Sequence, residues 1–123
     1  MKPGEVVVNP PEIDSYEFGV MVVDGQVHRN DLVILPERVL PNWWRGEGHR
    51  LDARDLADVL AARPQVLVVG TGSPGMMRVP EDTRQAVAAA GIEMRVAPST
   101  EAWVLYNESR SQLRTAAAFH LTC

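Results

Sequence analysis

The chain has 123 residues, a formal net charge of −4, 46% hydrophobic and 23% charged residues, and one cysteine. That length suits a single domain that buries a core without disulfides or metals, and an acidic balance with only 12 Lys plus Arg argues against a general nucleic-acid or anionic-membrane binder. The lone Cys123 permits no intrachain disulfide, no apolar run approaches the roughly 18 residues of a membrane span, and the N-terminus lacks a secretory pattern, so a cytoplasmic protein is expected.

The first half reads as β-rich. Residues 1–11 hold Pro3, Pro10 and Pro11 and are expected to form a flexible arm, with a single α/β domain over residues 12–123. Asp24-Gly25 between Val22-Val23 and Val27 marks a two-residue hairpin, because a type I′ turn needs positive φ at both central positions. DLVILP (31–36) is a short strand closed by Pro36. PNWWRGEGHR (41–50) is a loop. Its adjacent Trp43 and Trp44 either plug and edge the core or form an aromatic lip for a partner or ligand.

After residue 50 the period changes. Asp52 is the expected N-cap of a helix in which Leu56, Val59 and Leu60 share one face, with Leu51 and Leu56 as a hydrophobic staple and Pro64 as the stop. QVLVVG (65–70) suits a strand covered on both faces, as in a parallel sheet. A helix is expected from Pro80 to Gly91, then the strand IEMRVAP (92–98). Ser99 is the expected N-cap of a last helix, STEAWVLYNESR, and TAAAFHLTC (115–123) is the final strand. The fold class is α/β: a three-layer domain with a mixed central sheet, a βαβαβ second half and a β-hairpin layer from the first half.

Gly70-Thr71-Gly72-Ser73-Pro74-Gly75 spells G-x-G-x-x-G after a strand. A dinucleotide site would need the helix to begin inside the glycine run, yet ten residues (70–79) separate strand and helix, and Pro74 removes an amide donor. Glu93, near the spacing for a ribose-binding acid, falls at the start of a strand, and no Walker pattern exists. The glycines either turn the chain out of the sheet or line a small-anion or polar-ligand site at a strand's carboxyl end.

The glycine loop, PSTEAxxxYNE (98–108), Arg110, Arg114 and the ending AAxxHLTC together resemble a family of small single-domain proteins of unknown function. It comprises archaeal and bacterial orphans, the animal adipogenesis-associated domain-containing protein and a mitochondrial complex I assembly factor. The resemblance covers residues 12–123, most strongly from Val66. It implies a three-layer α/β fold, no cofactor and no agreed reaction. The family usually has Thr at the position of Ser99.

The candidate ligand-binding residues are Gly70, Thr71, Gly72, Ser73, Gly75, Ser99, Tyr106, Asn107 and Arg110. Tyr106 and Asn107 also suit purely structural roles, and the Arg110 and Arg114 guanidinium groups either grip an anion or pair with Glu101 or Glu108. A Cys–His dyad is not expected, because His120 and Cys123 are three apart on one strand and face opposite ways. His28, His49 and His120 are scattered, so no metal site and no cofactor are expected. Two functions follow: a non-enzymatic binding or assembly-factor-like module, or a small-molecule or anion-binding protein, even an enzyme, with its pocket at Gly70–Gly75. The expected partner is a protein or a small anion, with no nucleic acid and no membrane, and the chain is expected as a monomer or weak homodimer.

Overall fold

The two most apolar runs of the sequence lie side by side at the middle of a five-stranded sheet. In the computed structural model, which describes residues 9–123, these are β6 (Val66–Thr71) and β8 (Thr115–His120), both buried along their whole length. They are parallel, with Val68 opposite Ala117 and Gly70 opposite Phe119. β7 (Glu93–Ala97) flanks β6 in parallel, while β4 (Leu32–Ile34) runs antiparallel to β8 and pairs outward with the short β5 (Val39–Leu40). The order β5-β4-β8-β6-β7 is the expected mixed sheet.

Alternation along the central strands divides the core. Val66, Val68, Ala117 and Phe119 face α3 (Ser99–Arg110) and a three-stranded meander of β1 (Ile13–Glu17), β2 (Val20–Val23) and β3 (Gln26–His28). Leu67, Val69, Ala116 and Ala118 face α1 (Ala57–Ala62) and α2 (Glu81–Ala89). The result is three layers around one sheet. Asp24 and Gly25 join β2 to β3 with φ of 46° and 78°, as the turn requires.

Three local expectations change. The helix expected after Asp52 is a 3-10 turn at Ala53–Leu56 followed by the short α1, which ends at Arg63 in the left-handed region (φ 51°). Arg114 Nη2 donates to Ala62 O at 2.8 Å and takes up one of the open carbonyls at that helix end. The final strand stops at His120, short of Cys123. Ser99 is not an N-cap but the first helical residue, with Pro98 before it. Its hydroxyl is engaged elsewhere: it accepts from Gly72 N at 2.9 Å and donates to His120 O at 2.6 Å. Most of the arm, residues 1–8, lies outside the described residues, whereas the Pro10 and Pro11 carbonyls accept bonds from α3.

Candidate functional site

The sheet switches direction at β6: α2 carries the chain outward to β7 on one face, and α3 carries it back to β8 on the other. Such a switch opens a crevice at the carboxyl ends of the two central strands, where open α/β sheets receive ligands. Here the crevice between β6 and β8 is occupied by the chain itself. Ser73 N donates to Thr122 O (2.8 Å), Met76 N to Cys123 O (2.6 Å), and Ser99 N to Gly72 O (2.9 Å). A Cβ on Gly72 would lie 2.6 Å from the Cys123 carbonyl carbon, and one on Gly70 would lie 2.7 Å from Ser99 Oγ and collide with Phe119. Gly72 (φ 100°) and Gly75 (φ 115°) also need the positive φ that glycine tolerates. Thr71 Oγ1 donates to Ala97 O at 3.3 Å.

The other sequence-derived candidates gather elsewhere. Tyr106, Asn107 and Arg110 lie two to three turns along α3 from Ser99 and clasp the entry to β1. Tyr106 Oη donates to Pro11 O (2.6 Å), and Arg110 Nε donates to Pro10 O (2.7 Å). Asn107 accepts from Ile13 N (3.0 Å) and donates to Ile13 O (2.7 Å). Arg110 pairs with Glu12 and Arg114 with Glu37, not with Glu101 or Glu108. The structure therefore brings Gly70–Gly75 and Ser99 together and places Tyr106, Asn107 and Arg110 in a separate group.

A cleft of about 420 Å³ opens on the far side of β8, between the start of β4 and the tryptophan loop. Its floor follows from strand register. β4 is antiparallel to β8 with Leu32 opposite Phe119, so Asp31, just before β4, meets His120, the last residue of β8. Asp31 Oδ2 lies 2.8 Å from His120 Nδ1, and Asp31 Oδ1 accepts from Leu121 N at 2.8 Å. Arg45 Nη1 lies 2.9 Å from the same Oδ2, as an ion pair, and its Nε donates to Gly48 O at 3.1 Å. The Arg45 side chain is only 3% exposed, so its charge belongs to Asp31.

Burial alone would push the Asp31 carboxyl up. The hydrogen bonds from His120 and the Leu121 amide, with the His120 and Arg45 charges, outweigh it and hold the carboxyl below its ordinary value. Asp31 is thus held as a carboxylate and accepts from the groups around it, and Arg45 Nη2 lies 3.2 Å from the same His120 Nδ1. His120 Nε2 is left bare, buried and without a partner among the described residues.

The walls are aromatic and basic. Trp43 is half-buried, ties its indole N–H to Asp55 O at 3.1 Å, and lies under the Arg45 guanidinium at 4.7 Å. Trp44 is 81% exposed. Trp43 thus packs against the core, and Trp44 stands out into solvent. Arg29 at the rim makes no ion pair among the described residues. The sequence could suggest the tryptophans. It offered no local signal for Asp31 or Arg45, whose partners are distant in the chain.

A family model described as "Protein of unknown function (DUF498/DUF598)" matches residues 13–121. Among solved structures, a conserved hypothetical protein from Pyrococcus horikoshii OT3 is 30% identical with a TM-score of 0.81, covering 91% of this chain and 99% of the other. A protein from Rhodopseudomonas palustris is 26% identical with a TM-score of 0.71, covering 97% and 91%. A structure described as an outer membrane protein from Bartonella henselae is 19% identical with a TM-score of 0.76, covering 94% and 98%, and shares the fold. In the present chain no described helix is long and apolar enough to cross a membrane.

Proposed function

The chain belongs to the DUF498/DUF598 family of proteins of unknown function, and from that premise we propose that it is a non-enzymatic binding module for a small anion with a planar body, held in the cleft between Arg29 and Trp44. One observation carries the reading: an exposed indole and a guanidinium with no ion pair among the described residues line the same cleft, while the inner arginine is neutralised by Asp31. Arginine forks grip carboxylate or phosphate bidentately, and an exposed indole offers a face for stacking. In this reading the Gly70–Gly75 loop and Ser99 do not touch the ligand. They seat residues 121–123, and so fix the carbonyl of His120 and the cleft floor.

The test is a titration of labelled protein with benzoate, an indole carboxylate and inorganic phosphate, followed by amide and indole NMR shifts. The planar carboxylates are expected to shift the Trp44 indole and the Arg29 amide, with affinity falling about tenfold or more in Arg29→Ala and in Trp44→Ala. Shifts that ignore both substitutions, or no shifts in the cleft, would overturn the reading.

A second reading, an assembly-factor-like module that docks a protein, draws on the same Trp44 together with the exposed Val27 of β3. Exposed aromatics are frequent anchors of protein interfaces. The two readings part at Arg29: charge removal there abolishes anion binding but only adjusts the rim of a protein interface.

A further inference from the structure

We propose that His49 and His120 form a two-imidazole site for a divalent transition-metal cation of the zinc, nickel or copper class. The two residues are far apart in sequence and suggest no ligand pair there, yet the fold places their ring centres 5.5 Å apart with planes inclined at 66°. Two imidazoles sharing one cation at about 2.0–2.1 Å per nitrogen have ring centres roughly 5 Å apart for tetrahedral geometry. The observed 5.5 Å between ring centres is close to that spacing.

The polar contacts of His120 point the same way. Asp31 Oδ2 lies 2.8 Å and Arg45 Nη2 3.2 Å from His120 Nδ1, which leaves Nε2 as the ring nitrogen open to a ligand. That nitrogen has no partner among the described residues although the side chain is only 8% exposed. A buried acceptor without a partner is costly, and a bound cation removes the cost. A carboxylate behind a ligating histidine is also the usual arrangement: it orients the ring and raises its basicity. His49 is held by its backbone, since His49 O accepts from Arg78 N at 2.8 Å, while its ring remains exposed.

Among the described residues no group of three or more His, Cys, Asp or Glu converges on this point. Two protein ligands therefore leave the remaining positions to water or an exogenous donor, which makes this an exchangeable site and not a structural one. Arg45 opposes a cation, but its charge is matched by Asp31 at 2.9 Å. Imidazole donors and the order of divalent affinities favour copper over nickel and zinc.

The inference is independent of the anion reading, because the metal is titrated alone in a buffer free of carboxylate and phosphate. Metal-stripped protein is titrated with Cu²⁺ by calorimetry, and the complex is examined for imidazole-nitrogen couplings by electron paramagnetic resonance. The wild type is expected to bind one Cu²⁺ through two imidazole nitrogens. His49→Ala, a change at an exposed ring, is expected to lose one nitrogen and bind at least about tenfold more weakly. Asp31→Asn is expected to weaken binding about 10–100-fold, through lost ligand orientation and through the Arg45 charge it leaves unmatched. His28→Ala is expected to change neither affinity nor couplings. Couplings that persist unchanged in His49→Ala, or vanish in His28→Ala, would overturn the assignment, and so would a wild type that binds no copper. If His120→Gln fails to fold, His49→Ala carries the decision.

Discussion

Asp31 and His120 meet because β4 begins where β8 ends, and the 2.8 Å contact between them closes the sheet at its carboxyl edge. The same carboxylate also takes the Leu121 amide and the Arg45 guanidinium, so one side chain ties a strand end, a loop and a histidine.

Replacing Asp31 by Ala should therefore be severe. It leaves the nearly buried Arg45 charge uncompensated, for which the expected cost is about 3–5 kcal/mol. Replacing Asp31 and Arg45 together by apolar residues should recover part of that loss. Urea unfolding followed by circular dichroism measures both, and a double variant no more stable than the single one would contradict the pairing.

Ser99→Ala should cost about 1–3 kcal/mol, because it strips the buried Gly72 amide of its acceptor and the His120 carbonyl of a donor. Gly72→Ala should cost about 1–3 kcal/mol by forcing a side chain into φ 100° against the main chain of residues 122–123. Ser99→Thr tests whether the hydroxyl alone suffices. A neutral result for Ser99→Ala would mean that water replaces the hydroxyl.

Alkaline stability should depend on Tyr106. Burial raises its phenol above the ordinary value; the Arg110 charge pulls the other way, and Asp24 adds a smaller upward push. The unfolded chain then ionises first, near a pH of about 10, while the native phenol keeps its proton. The tyrosine's contribution is whole below that pH and declines as pH rises through it. Tyr106→Phe should lose about 1 kcal/mol at neutral pH with the bond to Pro11 O, yet show a shallower decline between about pH 10 and 11. Equal slopes in denaturant melts of the two proteins would rule this out.

The two tryptophans should separate cleanly. Trp44→Ala should leave stability within about 0.5 kcal/mol, as expected of an exposed position. Trp43→Ala removes a core-facing ring and its bond to Asp55 O, and should cost about 3 kcal/mol. Thermal melts of both variants check this, and similar losses at the two positions would refute the division of roles.

Much of the fold was legible because its signals are local. The runs 66–71 and 115–120, the Asp24-Gly25 turn and the helix between Pro80 and Gly91 are each set by neighbours in sequence. The cleft was not legible, since Asp31, Arg45 and His120 converge only through strand register and a loop whose course no periodicity reveals. Ser99 shows the same limit at one residue. Its type and position suit an N-cap, but a tertiary demand from Gly72 and His120 claims the hydroxyl. The glycine spacing was visible, but the main chain of residues 122–123 that fills it comes from a distant part of the sequence.

That filled cradle changes what the glycine-rich stretch is in time. By composition it is the most pliable part of the chain, yet the amides of Gly72, Ser73, Met76 and Met77 all donate to fixed acceptors within the protein. For the amides of Gly72, Ser73 and Met76 to exchange their hydrogens with solvent, Ser99 must let go and residues 122–123 must lift away together. The segment thus opens as one cooperative unit with the end of β8, and its protection reports the integrity of the sheet edge and not the freedom of a loop.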